Sequence, residues 1–269
     1  MNSYMPDIST FARKIEKQSY PLEFSICTLI TKHDEYKEML QSFVNKGFIK
    51  QKCEYLYIDN SLNCAFNAYS GINEFLQQAK GKYVIICHQD ILLHQDGLEE
   101  LQACINLMDK IDAKWAVCGN AGAAGPNHIV YHLTYSNGNF MNKGKLPLKV
   151  SALDENFLLI KNSAHLTLSG NLSGFHFYAT DLVLQAELNG YSSYVIPFNL
   201  IHKSRGNKNN DFFLIRNQLI KKYNSFFRSR WIQTNSSVFY LSGSPFRKLF
   251  GNFITLYFIR MINGIKKRI

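Results

Sequence analysis

Three short polar runs stand directly behind apolar runs in the first ninety positions: Thr31-Lys32-His33, Asp59-Asn60-Ser61 and His88-Gln89-Asp90. Carboxylates and imidazoles are the side chains that accept hydrogen bonds, exchange protons and bind cations. Two more residues of these types hold marked positions later on. Asp181 lies at the start of a stretch with helical spacing, and His202 follows the run Tyr194-Val-Ile-Pro197. Any one of these residues reads equally well as part of a solvated loop or helix end. Their order is more informative: an acid after the second apolar run, His-Gln-Asp after the third, an acid opening a late helix, and a His after the run that follows it.

The elements that position these residues follow from periodicity. Residues 24–30, 54–59, 82–87 and 115–118 are short apolar runs of strand character, while 34–46, 66–79 and 97–109 carry helical spacing, with Gly47 and Gly81 as stops. Strands that alternate with helices and are apolar throughout predict a parallel sheet covered on both faces. Ligands of such sheets bind outside the carboxyl ends of the strands, which is where the three polar runs fall. Residues 119–150 are rich in Gly and Asn and read as loops with an irregular hairpin near 129–135. A strand is predicted over 151–160 and a helix over 178–188, capped by Thr180 and ended by Gly190. The last strand falls at 194–197. Residues 1–21 form a polar lead-in with one short helix.

Composition sets the outer bounds. The 269 residues are 46% hydrophobic and 19% charged, enough apolar material for a sizeable core. The net charge of +10 is unevenly placed: residues 201–269 hold 14 Lys/Arg and one acid, Asp211. A basic module of this kind points to an anionic partner. The six cysteines show no CxxC spacing and read as core residues of a reducing compartment. The first residues lack the apolar stretch of a signal peptide, and no apolar run approaches the roughly 20 residues of a membrane span. A cytoplasmic protein is predicted, held peripherally on the inner face of the membrane.

Phe66-Asn67, then Ala79-Lys80-Gly81, the strand 83–87 and His88-Gln89-Asp90 form a run that resembles the family-2 type of GT-A glycosyltransferases. The similarity is to a bacterial branch associated with capsule and lipopolysaccharide synthesis. It covers 24–205 and implies an α/β, GT-A (Rossmann-like) fold: a mixed, mainly parallel sheet flanked by helices, with a basic helical C-terminal tail. The implied division is a lead-in at 1–22, a catalytic domain at 23–205 with nucleotide and acceptor halves meeting near 120, and a basic aromatic-rich region at 206–269. The implied activity is metal-dependent inverting transfer of a sugar, from a UDP-linked or similar nucleotide-diphosphate donor to a hydroxyl of a surface-glycan intermediate that is lipid-linked or grows on a lipid.

Site roles follow from the same resemblance. Asp90 and His202 hold Mn²⁺ or Mg²⁺, whose charge offsets that of the departing diphosphate. Thr28, Thr31, Asp59, Asn67, Lys80, His88 and Gln89 line the nucleotide pocket. Asp181 is the general base. Asp154, Glu155, His176 and Tyr178 face the sugar or acceptor. Apart from the resemblance, the charges of Lys203, Arg205 and Lys208 beside His202 make them candidate phosphate contacts. The chain departs from the pattern in three places. Thr31-Lys32 stands where the family has a Pro-x-Tyr/Phe-Asn turn, His88 replaces the first acid of the metal motif, and Thr180 replaces a frequent Glu. The last two departures leave room for a catalytically silent binding or scaffold protein on the same fold. A nucleotidyltransferase is disfavoured because no glycine follows the first strand. In the tail, basic residues flank bulky apolar ones, the composition of helices at a membrane interface, and the catalytic domain or a second subunit is another candidate for covering those faces. No nucleic-acid-binding fold is legible.

Overall fold

The computed structural model describes residues 8–204 and 208–266, and the chain divides into two compact units, Met1–Asn207 and Lys208–Ile269. In the first unit the elements run α1 (Ile8–Phe11), β1 (Leu22–Ile30), α2 (His33–Asn45), β2 (Cys53–Asp59), α3 (Ala68–Gln78), β3 (Gly81–Cys87), β4 (Ile91–Leu92), α4 (Leu98–Ile111) and β5 (Trp115–Gly119). There follow β6 (Ala121–Gly125), β7 (His128–Tyr135), β8 (Phe140–Lys143), β9 (Leu148–Lys149), β10 (Ala152–Leu153), β11 (Phe157–Lys161), α5 (Tyr178–Leu188), β12 (Ser192–Val195) and β13 (Ile201–His202).

The central sheet has the order β2-β1-β3-β11-β5-β12-β9. β1 pairs in parallel with both β2 and β3, as the apolar runs predict. β11 then enters antiparallel between β3 and β5, so the third and fourth predicted strands are not neighbours. An apolar run reports burial on both faces but not the identity of its neighbours. The fold is therefore a mixed α/β sheet flanked by helices.

Packing explains why these segments hold. Phe24, Ile26 and Ile30 of β1, Met39 and Phe43 of α2, Leu101 and Ile105 of α4, and Trp115 and Phe157 join one buried cluster. Each such side chain contributes about 1.5–3 kcal/mol by leaving water. At Gly81 a Cβ atom would collide with the Ser25 amide nitrogen, so the glycine of the Ala-Lys-Gly run is required by the close approach of β3 to β1. Five cysteines are buried, Cys64 is exposed, and all six are free.

The segment after β5 is more ordered than its composition suggests. A second sheet, β10-β6-β7-β13-β4 with β8 on β7, replaces the predicted loops. The predicted strand at 151–160 is split, with β10 in the second sheet and β11 in the first. Helix α5 spans Tyr178–Leu188 as predicted, but its cap is Phe177, in the left-handed region at φ 62°, and not Thr180. Gly190, at φ 81°, follows the helix in the conformation its placement predicts.

The second unit contains α6 (Asn210–Phe227), β14 (Arg230–Gln233), β15 (Val238–Leu241), α7 (Pro245–Lys248) and α8 (Phe253–Lys266). Its tail is not wholly helical. β14 and β15 form an antiparallel hairpin in which the rings of Trp231 and Tyr240 lie 5.1 Å apart, as expected where aromatic and β-branched residues flank a Ser-rich turn. Helix α8 leaves Phe253, Ile254, Tyr257, Phe258, Met261 and Ile262 exposed. Among the described residues no helix is long and apolar enough to cross a membrane.

Candidate active site

The site grows from the carboxyl end of β3. The strand stops at Cys87, and the next three residues turn across the end of the sheet before β4 begins at Ile91. β4 pairs antiparallel with β13, which sets His202 opposite Ile91. The ladder continues one step further, where the Lys203 amide donates to the Asp90 carbonyl at 3.0 Å. Two short strands thus carry His202 to Asp90.

The outcome is a cluster of His88, Asp90 and His202 whose ligand atoms all lie within 4.8 Å of one another. His88 Nδ1 is 3.9 Å from Asp90 Oδ1, and His202 Nε2 is 3.7 Å from the same oxygen. The side chains of Asp90 and His202 are 12% and 11% exposed, while that of His88 is 40% exposed and leaves one side open. Asp90 Oδ2 accepts a hydrogen bond from the Ser204 amide at 3.2 Å. Burial works against the Asp90 charge, but Ser204 and the two imidazoles outweigh it and hold the carboxyl below its ordinary range. Burial and His202 together push the His88 imidazole down against the pull of Asp90, which favours its neutral form.

One carboxylate and two imidazoles, converging with facing atoms 3.7 and 3.9 Å apart and so beyond direct hydrogen-bond distance, fit a divalent cation. Two of the remaining atoms are held as metal ligands usually are. His88 Nε2 lies 3.0 Å from the Tyr178 hydroxyl, and the second Asp90 oxygen is on Ser204. His88, placed in the nucleotide pocket by the resemblance, therefore belongs with the cation ligands by position.

Gln89 does a different job from its neighbours. Its Oε1 accepts from the amides of Thr31 and Lys32 at 2.8 and 3.0 Å, and its Nε2 donates to Thr31 Oγ1 and Glu35. The side chain pins the β1–α2 turn to the end of β3. Thr31 is thus at the sheet edge. Thr28 is not: it is fully enclosed, with its hydroxyl 3.5 Å from the Cys87 sulfur, and belongs to the core. Asp59, at the end of β2, accepts from the Ser61 amide and faces His33 Nε2 at 3.0 Å. Ser61 and His33 hold its carboxyl below the ordinary range, and 41% of the side chain stays exposed.

Two further residues expected in the nucleotide pocket have these places. Asn67 caps α3, its Oδ1 accepting from the Tyr69 and Ser70 amides. Lys80 lies at the amino end of β3, with its own amide on Glu54. Seven strand residues, roughly 25 Å, separate it from His88.

On the acceptor side, Asp154 is exposed and caps the Asn156 amide. Glu155 is half-buried and its Oε1 accepts from the Phe177 amide at 2.6 Å. Burial, with Asp154 beside it, pushes the Glu155 carboxyl up to about 8. Tyr178 is buried, and burial together with Glu155 and Asp154 drives its phenol well above the ordinary range. The His176 carbonyl accepts from the Tyr69 hydroxyl at 3.0 Å. Asp181 has no solvent exposure, and its two oxygens accept from the Ser169 amide at 2.8 Å and the Ser169 hydroxyl at 2.6 Å. It anchors the segment that leads into α5. Lys203 pairs with Glu38 at 2.7 Å, and Arg205 lies outside the described residues.

Fold and cluster together define a mixed α/β protein with a candidate cation site at the carboxyl edge of its sheet. The chain belongs to the same family as the protein named ATP synthase subunits region ORF 6 from Fuscovulum blasticum, to which it is 35% identical over 232 residues, 84% of this chain and 92% of that one. No family model matches it. Among solved structures it is similar to residues 1–349 of S. aureus TarS in complex with UDP-GlcNAc, at 13% identity and a TM-score of 0.49, over 75% of this chain and 66% of that one. It is also similar to A197 from STIV, at 11% identity and a TM-score of 0.38, over 70% of this chain and 97% of that one.

Proposed function

We propose that the protein is a metal-dependent inverting glycosyltransferase of GT-A type. It moves a sugar, of hexosyl type, from a nucleotide-diphosphate donor, UDP-linked, to a hydroxyl of a bacterial surface-glycan intermediate. The observation that carries this reading is the His88–Asp90–His202 cluster, set at the edge where parallel α/β sheets receive ligands. The run of residues 66–90 adds the resemblance that names the reaction class. When bound, a divalent cation supplies positive charge to the diphosphate that leaves. His88, Asp90 and His202 hold it. Gln89 keeps the β1–α2 turn against the same edge, and the exposed face of Asp59 accepts hydrogen bonds from the ribose or base.

Asp181 takes the acceptor proton in this reading, which requires that Ser169 first release it. That requirement favours a second reading, a silent scaffold in which Asp181 only anchors. A thermal-shift series with nucleotide sugars, with and without Mn²⁺, tests donor binding. The expected outcome is a rise in melting temperature that needs both components. Release of free UDP then separates an enzyme from a scaffold. Asp181→Asn should abolish that release and leave donor binding intact, and unchanged turnover in the variant removes the base assignment.

We further propose that the second unit binds a membrane surface. Support comes from the exposed apolar residues of α8, together with Phe246, Leu249 and Phe250, and from the excess of basic over acidic residues in this segment. Helix α8 has 14 residues, roughly 21 Å of length, and so lies along a bilayer instead of spanning it. Co-sedimentation with phosphatidylglycerol vesicles should be strong and salt-sensitive. Equal binding to uncharged vesicles removes the electrostatic part, and no binding to either removes the proposal.

A further inference from the structure

The hydrogen bonds around Tyr178 say more about His88 than its distance to Asp90 does. The Tyr178 hydroxyl lies 3.1 Å from the Glu155 carbonyl oxygen and 3.0 Å from His88 Nε2. A carbonyl oxygen only accepts, so both contacts are hydrogen bonds only when the single phenolic proton goes to Glu155. The phenol oxygen must then accept at its other contact, and the proton there belongs to His88 Nε2. A neutral imidazole carries one N–H, so Nδ1 is left as a bare lone pair. Nδ1 faces Asp90 Oδ1 at 3.9 Å, too far for a proton to be shared between them. It is close to the roughly 3–4 Å that separates two ligands of one cation bound at about 2.1 Å.

We infer that Tyr178 is a positioning residue that locks His88 in the Nε2–H tautomer and so makes Nδ1 the third ligand of the cation site. This rests on the reading of the cluster as a cation site, and it deepens that reading. Glu155 enters through its backbone: its carbonyl takes the phenolic proton that would otherwise be donated to His88. The helix start contributes too, because Tyr178 is the first residue of α5 and Phe177 ahead of it is held by the Glu155 carboxyl. One acid thus fixes both ends of the relay. Outer partners of this kind change metal affinity by roughly 10- to 100-fold.

Two measurements on the full chain test it. Nitrogen-15 spectra of metal-free protein with labelled histidine, assigned with a His88→Ala variant, report which nitrogen of His88 carries the proton. Protonated Nε2 and bare Nδ1 are expected, and an Nδ1–H tautomer in the wild type overturns the inference without any variant needing to fold. Titration with Mn²⁺, followed by the electron paramagnetic signal of the free ion, gives the second readout. Tyr178→Phe should bind Mn²⁺ 10- to 100-fold more weakly and show a mixture of His88 tautomers. Wild-type affinity together with an unchanged tautomer in that variant also overturns it. If the wild type shows the Nε2–H tautomer but takes up no Mn²⁺, the cation reading fails and the hydrogen-bond relay stands.

Discussion

Asp90 and Asp181 are the same side chain in two opposite surroundings. Asp90 shares one oxygen with two imidazoles at 3.7 and 3.9 Å, distances at which nothing is bonded directly and a cation would complete the set. Asp181 has both oxygens filled, by the amide and hydroxyl of one serine, and no exposure at all. A buried carboxylate with both oxygens engaged by its own fold holds structure, while one aimed at other ligands is available for chemistry. Turning the second kind of site out of the first takes a movement of Ser169.

Truncation should make the two acids exchange effects. Asp90→Ala is expected to weaken Mn²⁺ binding by 100-fold or more, read by calorimetry, with a small change in urea stability. Asp181→Ala should do the reverse: it leaves two Ser169 donors buried without an acceptor and costs about 3 kcal/mol of stability. A loss of stability in the first variant equal to that in the second would erase the contrast. A smaller effect concerns which ion is preferred. Two imidazoles and one carboxylate suit Mn²⁺ better than Mg²⁺, which favours oxygen ligands, so competition titration should give at least about tenfold tighter Mn²⁺ binding. Equal affinities would mean that the imidazoles do not ligate.

The smallest effect lies at Glu155. Its carboxyl titrates near 8 in the folded chain against 4.5 as its ordinary value, so the folded state keeps a proton that the unfolded state gives up. Stability from this group is therefore full below pH 4.5 and declines as pH rises toward 8. Glu155→Gln should flatten that part of the melting-temperature profile in metal-free protein. An unchanged slope would show that the carboxyl ionises normally.

Much of this arrangement is legible before folding. Apolar runs ended by His-Gln-Asp and Asp-Asn-Ser locate the edge of the sheet, because the period and length of those runs fix where strands stop. Helix α5 and its terminal Gly190 are read correctly for the same reason. What escapes is partnership. Nothing local to residues 157–161 says that they will enter antiparallel beside β3, since strand order is set by tertiary packing. Thr28 looks like an edge residue but sits one pleat inside the core. Lys80 belongs to a run that mimics a pocket, yet its place at the amino end of β3 puts it a strand's length from the cluster. The tautomer of His88 is fixed by a backbone carbonyl at Glu155, which side-chain identity alone does not reveal.

The Asp90 turn meets its last partner, Ser204, across 114 positions of chain. Because β13 delivers His202 to that turn, a growing polypeptide has no complete candidate cation site until nearly all of the first unit has emerged. An ion captured there is a ligand of the finished structure alone, so loading would slow unfolding and shield completed molecules from proteolysis while giving no such protection to fragments.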